Sequence, residues 1–259
     1  MRVLNLNVWN QNYFWERRLP VISNLLKDAG FNGSGEDILV FHEVTNSNEH
    51  DQVSEINTGL HYKNTYFFET KREKSLTSGI GLVTNYMIIC PKTFKLTQNS
   101  KDKDDSFPRI IGLTELQGKN TSFICGETHF SLSSKTQISN AQESLTFIEK
   151  YNERHLPVVV CADFNCGPDE QPSHIFERAG YKDVWRQLSR KELISWPVDK
   201  KLVIENHKLK HGKEPDWEIK GRRIDYIWTK GISFKKVLKF GGKVNGIWHS
   251  DHWGIIAED

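Results

Sequence analysis

The chain has 259 residues, of which 37% are hydrophobic and 26% charged, and its formal net charge is +2. This composition excludes a disordered chain, and no apolar run approaches the roughly 20 residues of a membrane-spanning helix. The first residues enter a strand-like pattern without the features of a signal peptide, so we expect an intracellular, cytoplasmic protein, and we take it to be a monomer.

Short apolar runs, rich in β-branched residues and bounded by turn formers, predict β-strands. Helical spacing of apolar residues between some of these runs predicts three helices. The polar stretch 191–220, which carries two prolines, is predicted to be unstructured. The predicted strands are 2–9, 37–44, 78–85, 109–116, 121–130, 157–165, 222–228 and 253–258, and the predicted helices are 17–30, 136–154 and 172–180.

The order of these elements indicates a mixed α/β chain. The helices are too few and too unevenly placed for an eight-fold barrel, and the sequence shows no internal repeat. The apolar runs share one pattern from end to end and no linker separates them. We therefore expect one domain over residues 1–259.

Six of the apolar segments carry an acid, an amide or an imidazole where a strand enters or leaves the core. Buried charges are costly unless they are paired, hydrogen-bonded or bound to a metal. One such residue is usually a turn former or a cap, whereas six together indicate side chains that converge on one rim. The residues are Asn7, Glu43, His129, Asp163, Asn165, Asp225, Asp251 and His252.

The chemical types of these side chains indicate a reaction. The carboxylates and amides are hard oxygen ligands, which suit Mg²⁺ or Mn²⁺ better than zinc. Histidine titrates near neutrality, so His129 and His252 suit a developing negative charge or a leaving oxygen. A divalent metal, carboxylates and two histidines together predict hydrolysis of a phosphate ester by in-line attack of water.

The same segments resemble the metal-dependent endonuclease/exonuclease/phosphatase superfamily, which includes deoxyribonuclease I. Each short motif is weak by itself, but all occur in the right order and cover the chain from end to end. The motifs are LNVWN around Asn7, FHEV around Glu43, ETHF around His129, ADFN at 162–165, RIDYIW around Asp225 and SDH at 250–252.

The resemblance implies a four-layer α/β (αββα) sandwich of two packed mixed β-sheets flanked by helices, with the site at one sheet rim. It also implies that Glu43, with Asn7 beside it, holds the Mg²⁺. Asp225 would either orient His252 or join the metal shell, and Asp251 is a further candidate for that shell.

The remaining implied roles concern the reacting groups. Asp163 would orient or deprotonate the attacking water, and Asn165 would hold a phosphate oxygen. His129 and His252 would stabilise the pentacovalent phosphate or protonate the leaving group.

Two further residues are candidates for substrate binding. Arg109 opens a strand and could contact a phosphate, although a salt bridge explains it equally well. Trp253 follows the histidine motif and could stack on a base or sugar, with core packing as the alternative.

The substrate is less well determined by the sequence. Residues 200–243 carry thirteen Lys and Arg against five acidic residues, which fits a polyanionic partner or simply a solvated surface. The leading hypothesis is an Mg²⁺-dependent phosphodiesterase acting on nucleic acid, as a nuclease or a DNA-end-processing enzyme. The alternatives are a phosphomonoesterase, a sphingomyelinase-like phospholipid phosphodiesterase and an inactive binding module. ETHF replaces the tyrosine motif of the abasic-site enzymes, which argues against that branch.

Overall fold

The computed structural model describes residues 1–47, 49–105 and 107–259. In chain order, the strands are β1 (Arg2–Asn7), β2 (Asp37–Ser47), β3 (Asn64–Glu73), β4 (Leu76–Thr84), β5 (Met87–Lys95), β6 (Ile110–Gln117), β7 (Ser122–His129), β8 (Val158–Asp163), β9 (Lys182–Asp183), β10 (Asp225–Lys230), β11 (Lys236–Phe240), β12 (Lys243–Val244), β13 (Ile247–Trp248) and β14 (Gly254–Glu258). The helices are α1 (Trp15–Asp28), α2 (Gln52–Thr58), α3 (Ser134–Tyr151), α4 (Gln171–Arg178), α5 (Val184–Leu188) and α6 (Lys200–His211).

The strands form two six-stranded mixed sheets. The first has the order β11-β14-β1-β2-β4-β3 and the second the order β5-β6-β7-β8-β10-β9. The β1–β2 and β7–β8 pairs are parallel, and the other neighbours are antiparallel. The strands β12 and β13 form a separate hairpin.

The layers follow from the alternation of side chains along each strand. Val3 and Val40 of the first sheet face Cys125 and Val159 of the second in a core between the sheets. A second core lies between the first sheet and α1 and α2, and a third between the second sheet and α3 and α4. The expected four-layer sandwich of two packed sheets flanked by helices is confirmed.

Each apolar run that was predicted to be a strand contains a strand in the structure, but other elements were not predicted. The stretch 191–220, expected to be unstructured, contains α6 over Lys200–His211. Only Leu202 and Val203 of this helix are buried, so it lacks the apolar stripe that identifies a helix in sequence. The strands β3 and β5 were also missed, because each lies at a sheet edge and exposes many of its side chains. Among the described residues, none of the helices combines the length and hydropathy that crossing a bilayer requires.

One carboxyl group lies in the core between the sheets. Glu127 of β7 is fully buried beside the thiol of Cys125, which is a weak hydrogen-bond donor. Neither carboxyl oxygen has a conventional hydrogen-bond partner within the described part of the chain. Burial raises the pKa of Glu127 from 4.5 to about 8, so the carboxyl holds its proton at neutral pH.

This burial predicts a pH-dependent stability. Folding raises the pKa of Glu127. The contribution of its protonated carboxyl to stability is therefore fully present below about pH 4.5 and is lost as the pH rises towards 8. Between about pH 5 and pH 9, the free energy of unfolding of the wild type should fall by about 4 kcal/mol relative to Glu127→Gln, which cannot ionise. Urea unfolding of both proteins at the two pH values measures this difference. Parallel pH dependence of the two proteins would show that Glu127 does not titrate in this range.

Candidate active site

The predicted polar residues meet at one rim, where strand ends of the two sheets lie close together. A direct link holds the sheets in place just beneath this rim. Asn5 of β1 is fully buried, and its Nδ2 donates to the carbonyls of Ala162 (2.9 Å) and Tyr226 (3.1 Å) on the second sheet. Because these acceptors are backbone groups of β8 and β10, the two rims are held at a defined separation.

The second sheet aligns three site residues by strand register. Asp163 is the last residue of β8, and it pairs with His129 of β7 on one side and with Asp225 of β10 on the other. The His129 Nε2 atom lies 3.6 Å from Asp163 Oδ2. Asn165 follows in the left-handed region (φ 53°), and its N–H donates to Asp163 Oδ1 at 3.0 Å. The Asn165 Nδ2 atom donates to the Phe130 carbonyl (3.0 Å) and lies 2.9 Å from His129 Nε2.

The first sheet contributes Asn7 and Glu43 from adjacent parallel strands. Glu43 sits at a bulge where the register of β2 shifts between Phe41 and Val44, and its φ is 56°. A bulge and a left-handed backbone re-aim a side chain, and such strain is typical of functional positions. The carboxylate of Glu43 accepts hydrogen bonds from Asn7 Nδ2 (3.0 Å) and Asn10 Nδ2 (3.2 Å).

The segment before β14 brings the last site residues to the rim. Ser250 Oγ donates to the Asn7 carbonyl at 2.6 Å and accepts from the His252 N–H at 3.2 Å, which anchors the turn on β1. Asp251 Oδ2 accepts from Trp196 Nε1 at 3.0 Å, and Asp251 Oδ1 lies 3.9 Å from His252 Nε2. The turn thereby presents Asp251 and His252 side by side.

Two hydrogen bonds cross between the sheets at the centre of the site. Asn7 Nδ2 donates to Asp163 Oδ2 at 3.0 Å, and His252 Nδ1 donates to Asp225 Oδ2 at 2.9 Å. His252 Nδ1 also lies 3.9 Å from Asp163 Oδ2. The structure therefore gathers both sheets' candidate residues into one connected group.

The two histidines differ in protonation. Burial lowers the pKa of His129 well below its usual value, and the nearby charge of Arg109 acts in the same direction. Burial would also lower the pKa of His252, but the charges of Asp225, Asp251 and Asp163 outweigh it and raise that pKa well above its usual value. The site therefore holds a neutral imidazole at His129 and an imidazolium at His252.

Asp163 and Asp251 hold protons more strongly than free carboxyl groups. Burial, followed by the charge of Asp225, raises the pKa of Asp163 above its ordinary range. Burial raises the pKa of Asp251 to about 6, and the charge of Glu43 adds to this rise. Like-charged carboxylates held close together in this way are stabilised by a cation.

The donor set fits a hard divalent cation. Glu43 lines an open cavity and accepts one N–H at each oxygen, so lone pairs remain on its carboxylate. Ligand atoms of Asp163, Asp225 and His252 also lie within 4.8 Å of one another. In the group of Asp163, Asp225 and His252, however, the Nδ1 atom of His252 is already hydrogen-bonded to Asp225. The carboxylate of Glu43, with Asp251 nearby, is therefore the more open of the two possible metal sites.

A cavity of about 210 Å³ opens beside Glu43 and His129. Arg109 is half-buried in its wall, and Nε of Arg109 is buried with no hydrogen-bond partner among the residues described. Burial lowers the pKa of Arg109, against the opposing charges of Glu43 and Asp163. The salt bridge that could have explained Arg109 is not seen across the described ranges. The other lining residues are Asn10, Thr70, Ser78, Gly79, Ile80, Phe107 and Ile110.

Trp253, in contrast, is not brought to this cavity. Its ring packs edge-on against Trp248 with the centroids 5.6 Å apart, and Lys239 Nζ lies 3.8 Å from its centroid. Trp253 does not belong to the lining of the cavity as described.

The basic run 200–243 is partly paired with acidic residues. It is divided among α6, the loop that follows, β10 and β11, and five of its cations form salt bridges with acidic residues. Near the site, Lys200 and Lys201 remain exposed on the first turn of α6. Val198, just before this helix, donates to the Asp251 carbonyl at 2.8 Å, which places the start of α6 beside the site.

Sequence reasoning missed several residues that complete the site. Asn10 bonds Glu43, and Trp196 bonds Asp251. An amide three residues after Asn7 in the same motif was a usable signal for Asn10. No local signal identifies Arg18, whose side chain reaches backbone carbonyls both nearby and at the other end of the chain.

Comparisons with known proteins agree with this geometry. The family described as "Endonuclease/Exonuclease/phosphatase family" matches residues 4–252. A mannosyl-6-phosphatase from Bacteroides thetaiotaomicron VPI-5482 is similar in structure, with a TM-score of 0.73 at 17% identity over 100% of this chain and 98% of that one. The human Nocturnin catalytic domain with bound sulfate has a TM-score of 0.68 at 17% identity, over 99% and 92% of the two chains.

A truncated TDP2 from Caenorhabditis elegans is also similar, with a TM-score of 0.67 at 16% identity over 99% of this chain and 95% of that one. At these identities the likeness shows the fold, and it does not identify a substrate. No curated protein sequence matches the chain.

Proposed function

The chain belongs to the endonuclease/exonuclease/phosphatase family, and from that premise we propose that it hydrolyses a phosphate ester by Mg²⁺- or Mn²⁺-dependent in-line attack of water at the rim described above. Members of this family are hydrolases that act on phosphoester bonds. The observation that carries the proposal is the Asn7 amide, which donates at 3.0 Å to both Glu43 and Asp163 and so joins the open carboxylate to the candidate base.

Glu43 and Asp251 would hold the cation, with Asn7 beside them. The support is that Glu43 faces the cavity and that its charge raises the pKa of Asp251, a repulsion that a cation relieves. When bound, the cation supplies charge neutralisation at the phosphate oxygens. Asp225 would orient His252, whose Nδ1 donates to Asp225 Oδ2.

Asp163 would accept the proton of the attacking water. Its two oxygens are oriented by the Asn7 amide and the Asn165 N–H, so the carboxylate cannot rotate freely. Burial raises the pKa of Asp163 towards neutrality, where a general base is most effective.

The cations and amides around the base would bind the phosphoryl group. His252, held as an imidazolium by Asp225, would neutralise a phosphate oxygen or protonate the leaving group. His129 and Asn165 would orient a phosphate oxygen, and the Arg109 guanidinium in the cavity wall would donate to the phosphate.

Two substrate classes have support from different observations. A nucleic-acid phosphodiester is favoured by the exposed Lys200 and Lys201 beside the site and by Trp217, which is 50% exposed in the same basic region. A compact phosphomonoester is favoured by the cavity, whose polar wall carries Arg109. The cavity offers room for a small polar group next to the phosphate.

Domain organisation, oligomeric state and cellular location are properties of the whole chain. We propose that residues 1–259 form one domain, and the support is that the terminal strands β1 and β14 pair with each other. The monomeric state and the cytoplasmic location stay predictions.

A substrate panel tests the proposal and separates the two classes. Wild-type protein is assayed with Mg²⁺ and with EDTA on an aryl phosphodiester, an aryl phosphomonoester, a single-stranded oligonucleotide and a hexose 6-phosphate. Turnover is expected with Mg²⁺ and not with EDTA. Equal rates in both conditions would refute the metal-dependent hydrolysis.

Two matched variants then report on the substrate. If a phosphomonoester is the substrate, Arg109→Met should raise KM roughly tenfold or more, because a charge-assisted hydrogen bond is lost. The double change Lys200→Gln with Lys201→Gln should leave that KM unchanged. If nucleic acid is the substrate, the lysine variant should instead weaken binding and reduce its salt dependence.

A further inference from the structure

Arg18 is a fully buried arginine whose guanidinium hydrogen-bonds to backbone carbonyls and lies over the rings of Trp9 and Trp15. Nε donates to Asn12 (2.9 Å), Nη1 donates to Val8 (2.7 Å) and His249 (2.9 Å), and Nη2 donates to Asn10 (2.7 Å). No carboxylate forms a salt bridge with it within the described ranges.

Burying a charged guanidinium costs free energy, because the group loses its hydration. Burial lowers the pKa of Arg18 to about 10, so the side chain stays charged at neutral pH. A helix that only packed on a sheet would bury an apolar side chain of similar size at lower cost. What the guanidinium provides here is a rigid fork of donors for carbonyls that no strand or helix satisfies.

The first partner of Arg18 is a strained loop. Trp9, Asn10, Tyr13 and Phe14 all have positive φ values, of 61°, 40°, 51° and 63°. Each non-glycine residue in this region costs on the order of 1–3 kcal/mol, and such strain persists only where surrounding contacts impose it. Arg18 supplies contacts of this kind, because it holds the carbonyls at both ends of the 8–12 segment.

That loop provides two hydrogen-bond donors to the site. The Trp9 N–H donates to Asn7 Oδ1 at 2.8 Å, which turns the Asn7 amide so that Nδ2 faces Glu43 and Asp163. Asn10 Nδ2 donates to the second oxygen of Glu43. The position of the Glu43 carboxylate therefore depends on the conformation of the loop.

The second partner lies 231 residues away in sequence. The His249 carbonyl that accepts from Arg18 immediately precedes Ser250, Asp251 and His252. Arg18 thus links the loop that orients Glu43 with the turn that carries Asp251 and His252.

We propose that Arg18 is a positioning residue of the active site, which sets the Glu43 carboxylate and the 250–252 turn in one geometry for metal binding and catalysis. This inference rests on the proposed function. It assigns to Arg18 no contact with substrate, and it predicts a defect in metal affinity and turnover beyond any loss of stability.

Arg2 provides a matched control at the opposite rim. It donates to the carbonyls of Ala29 and Gly30 at the end of α1, at 3.0 and 2.9 Å, and also pairs with Asp37. It therefore performs a similar anchoring of chain segments far from the site. A purely structural role for Arg18 predicts that lysine substitutions at the two positions have the same consequences.

The experiment compares Arg18→Lys and Arg18→Gln with Arg2→Lys. Mn²⁺ affinity is measured by calorimetry on metal-free protein, kcat and KM on an aryl phosphate ester, and stability by thermal unfolding. Removing a group that orients metal ligands typically costs 10- to 100-fold. We expect Arg18→Lys to weaken Mn²⁺ binding and lower kcat by roughly this factor, whereas Arg2→Lys should change only the melting temperature.

The outcomes separate this inference from the proposed function. If the wild type neither binds Mn²⁺ nor hydrolyses an ester, the proposed function fails. If the wild type is active but the Arg18 variants match Arg2→Lys in Mn²⁺ affinity and kcat, the positioning role is overturned. The role is equally overturned if both Arg18 variants fail to fold while Arg2→Lys folds, because Arg18 would then be a folding residue.

Discussion

Replacing Asp163 with asparagine is expected to lower kcat by roughly 10³-fold, the range that a general base contributes. Asparagine keeps the size of the side chain. Because the Asn7 amide and the Asn165 N–H bond different oxygens of Asp163, asparagine, which has one oxygen, can accept from only one of them. It cannot take a proton from water. Steady-state kinetics with saturating Mg²⁺ measures the effect, and KM should change much less than kcat.

A buried carboxylate of the opposite rim serves as the control for this variant. Asp37, which pairs with Arg2 and accepts from the Tyr62 hydroxyl, is also buried in a strand. Asp37→Asn should lower the melting temperature while leaving kcat within a few-fold of the wild type. Retention of full activity by Asp163→Asn, under conditions where both variants are folded, would refute the role of Asp163 as base.

Replacing Asp225 with asparagine is expected to lower kcat by roughly 10²- to 10³-fold, although Asp225 need not contact the substrate. Asp225 Oδ2 accepts from His252 Nδ1 at 2.9 Å, and its charge helps to raise the pKa of His252. Without that charge the imidazole loses its proton more readily and also loses its fixed orientation. The pH dependence of kcat should therefore change together with its magnitude.

A double-mutant cycle with His252→Gln tests whether the two residues act as a unit. If Asp225 works through His252, the double variant should be hardly slower than His252→Gln alone, because the partner of Asp225 is already gone. Fully additive losses in kcat would show that Asp225 acts independently of His252. That result would return Asp225 to the candidates for the metal shell.

The polar ends of the strands were identifiable because buried strands are apolar, so an acid or imidazole at their ends stands out. This reasoning located Asn7, Glu43, Asp163 and His252, which the structure brings together at one rim. It could not separate Asp225 from Asp251. That distinction depends on how the two carboxylates are placed around His252, which strand register and the turn at Ser250 fix only in the folded chain.

The basic run 200–243 is a feature whose consequence could not be predicted from the sequence. A local excess of lysine and arginine predicts a positive surface, but Glu170 and Asp183 from distant segments pair with Arg222 and Arg223. Charge neutralisation of this kind depends on contacts across the fold. Local composition therefore does not show how much of this positive charge is left unpaired.

The sequence by itself determined the mixed α/β class and the polar residues at the strand ends, since both follow from patterns within single segments. The four-layer sandwich followed from the family resemblance. The tertiary structure alone decided how these polar residues are arranged around the site. The Arg18 guanidinium reaches a carbonyl 231 residues away in the sequence, and the strained backbone at Asn10 is held by contacts with that side chain. Long-range hydrogen bonds and backbone strain leave no local pattern, because they depend on which segments the completed fold places side by side.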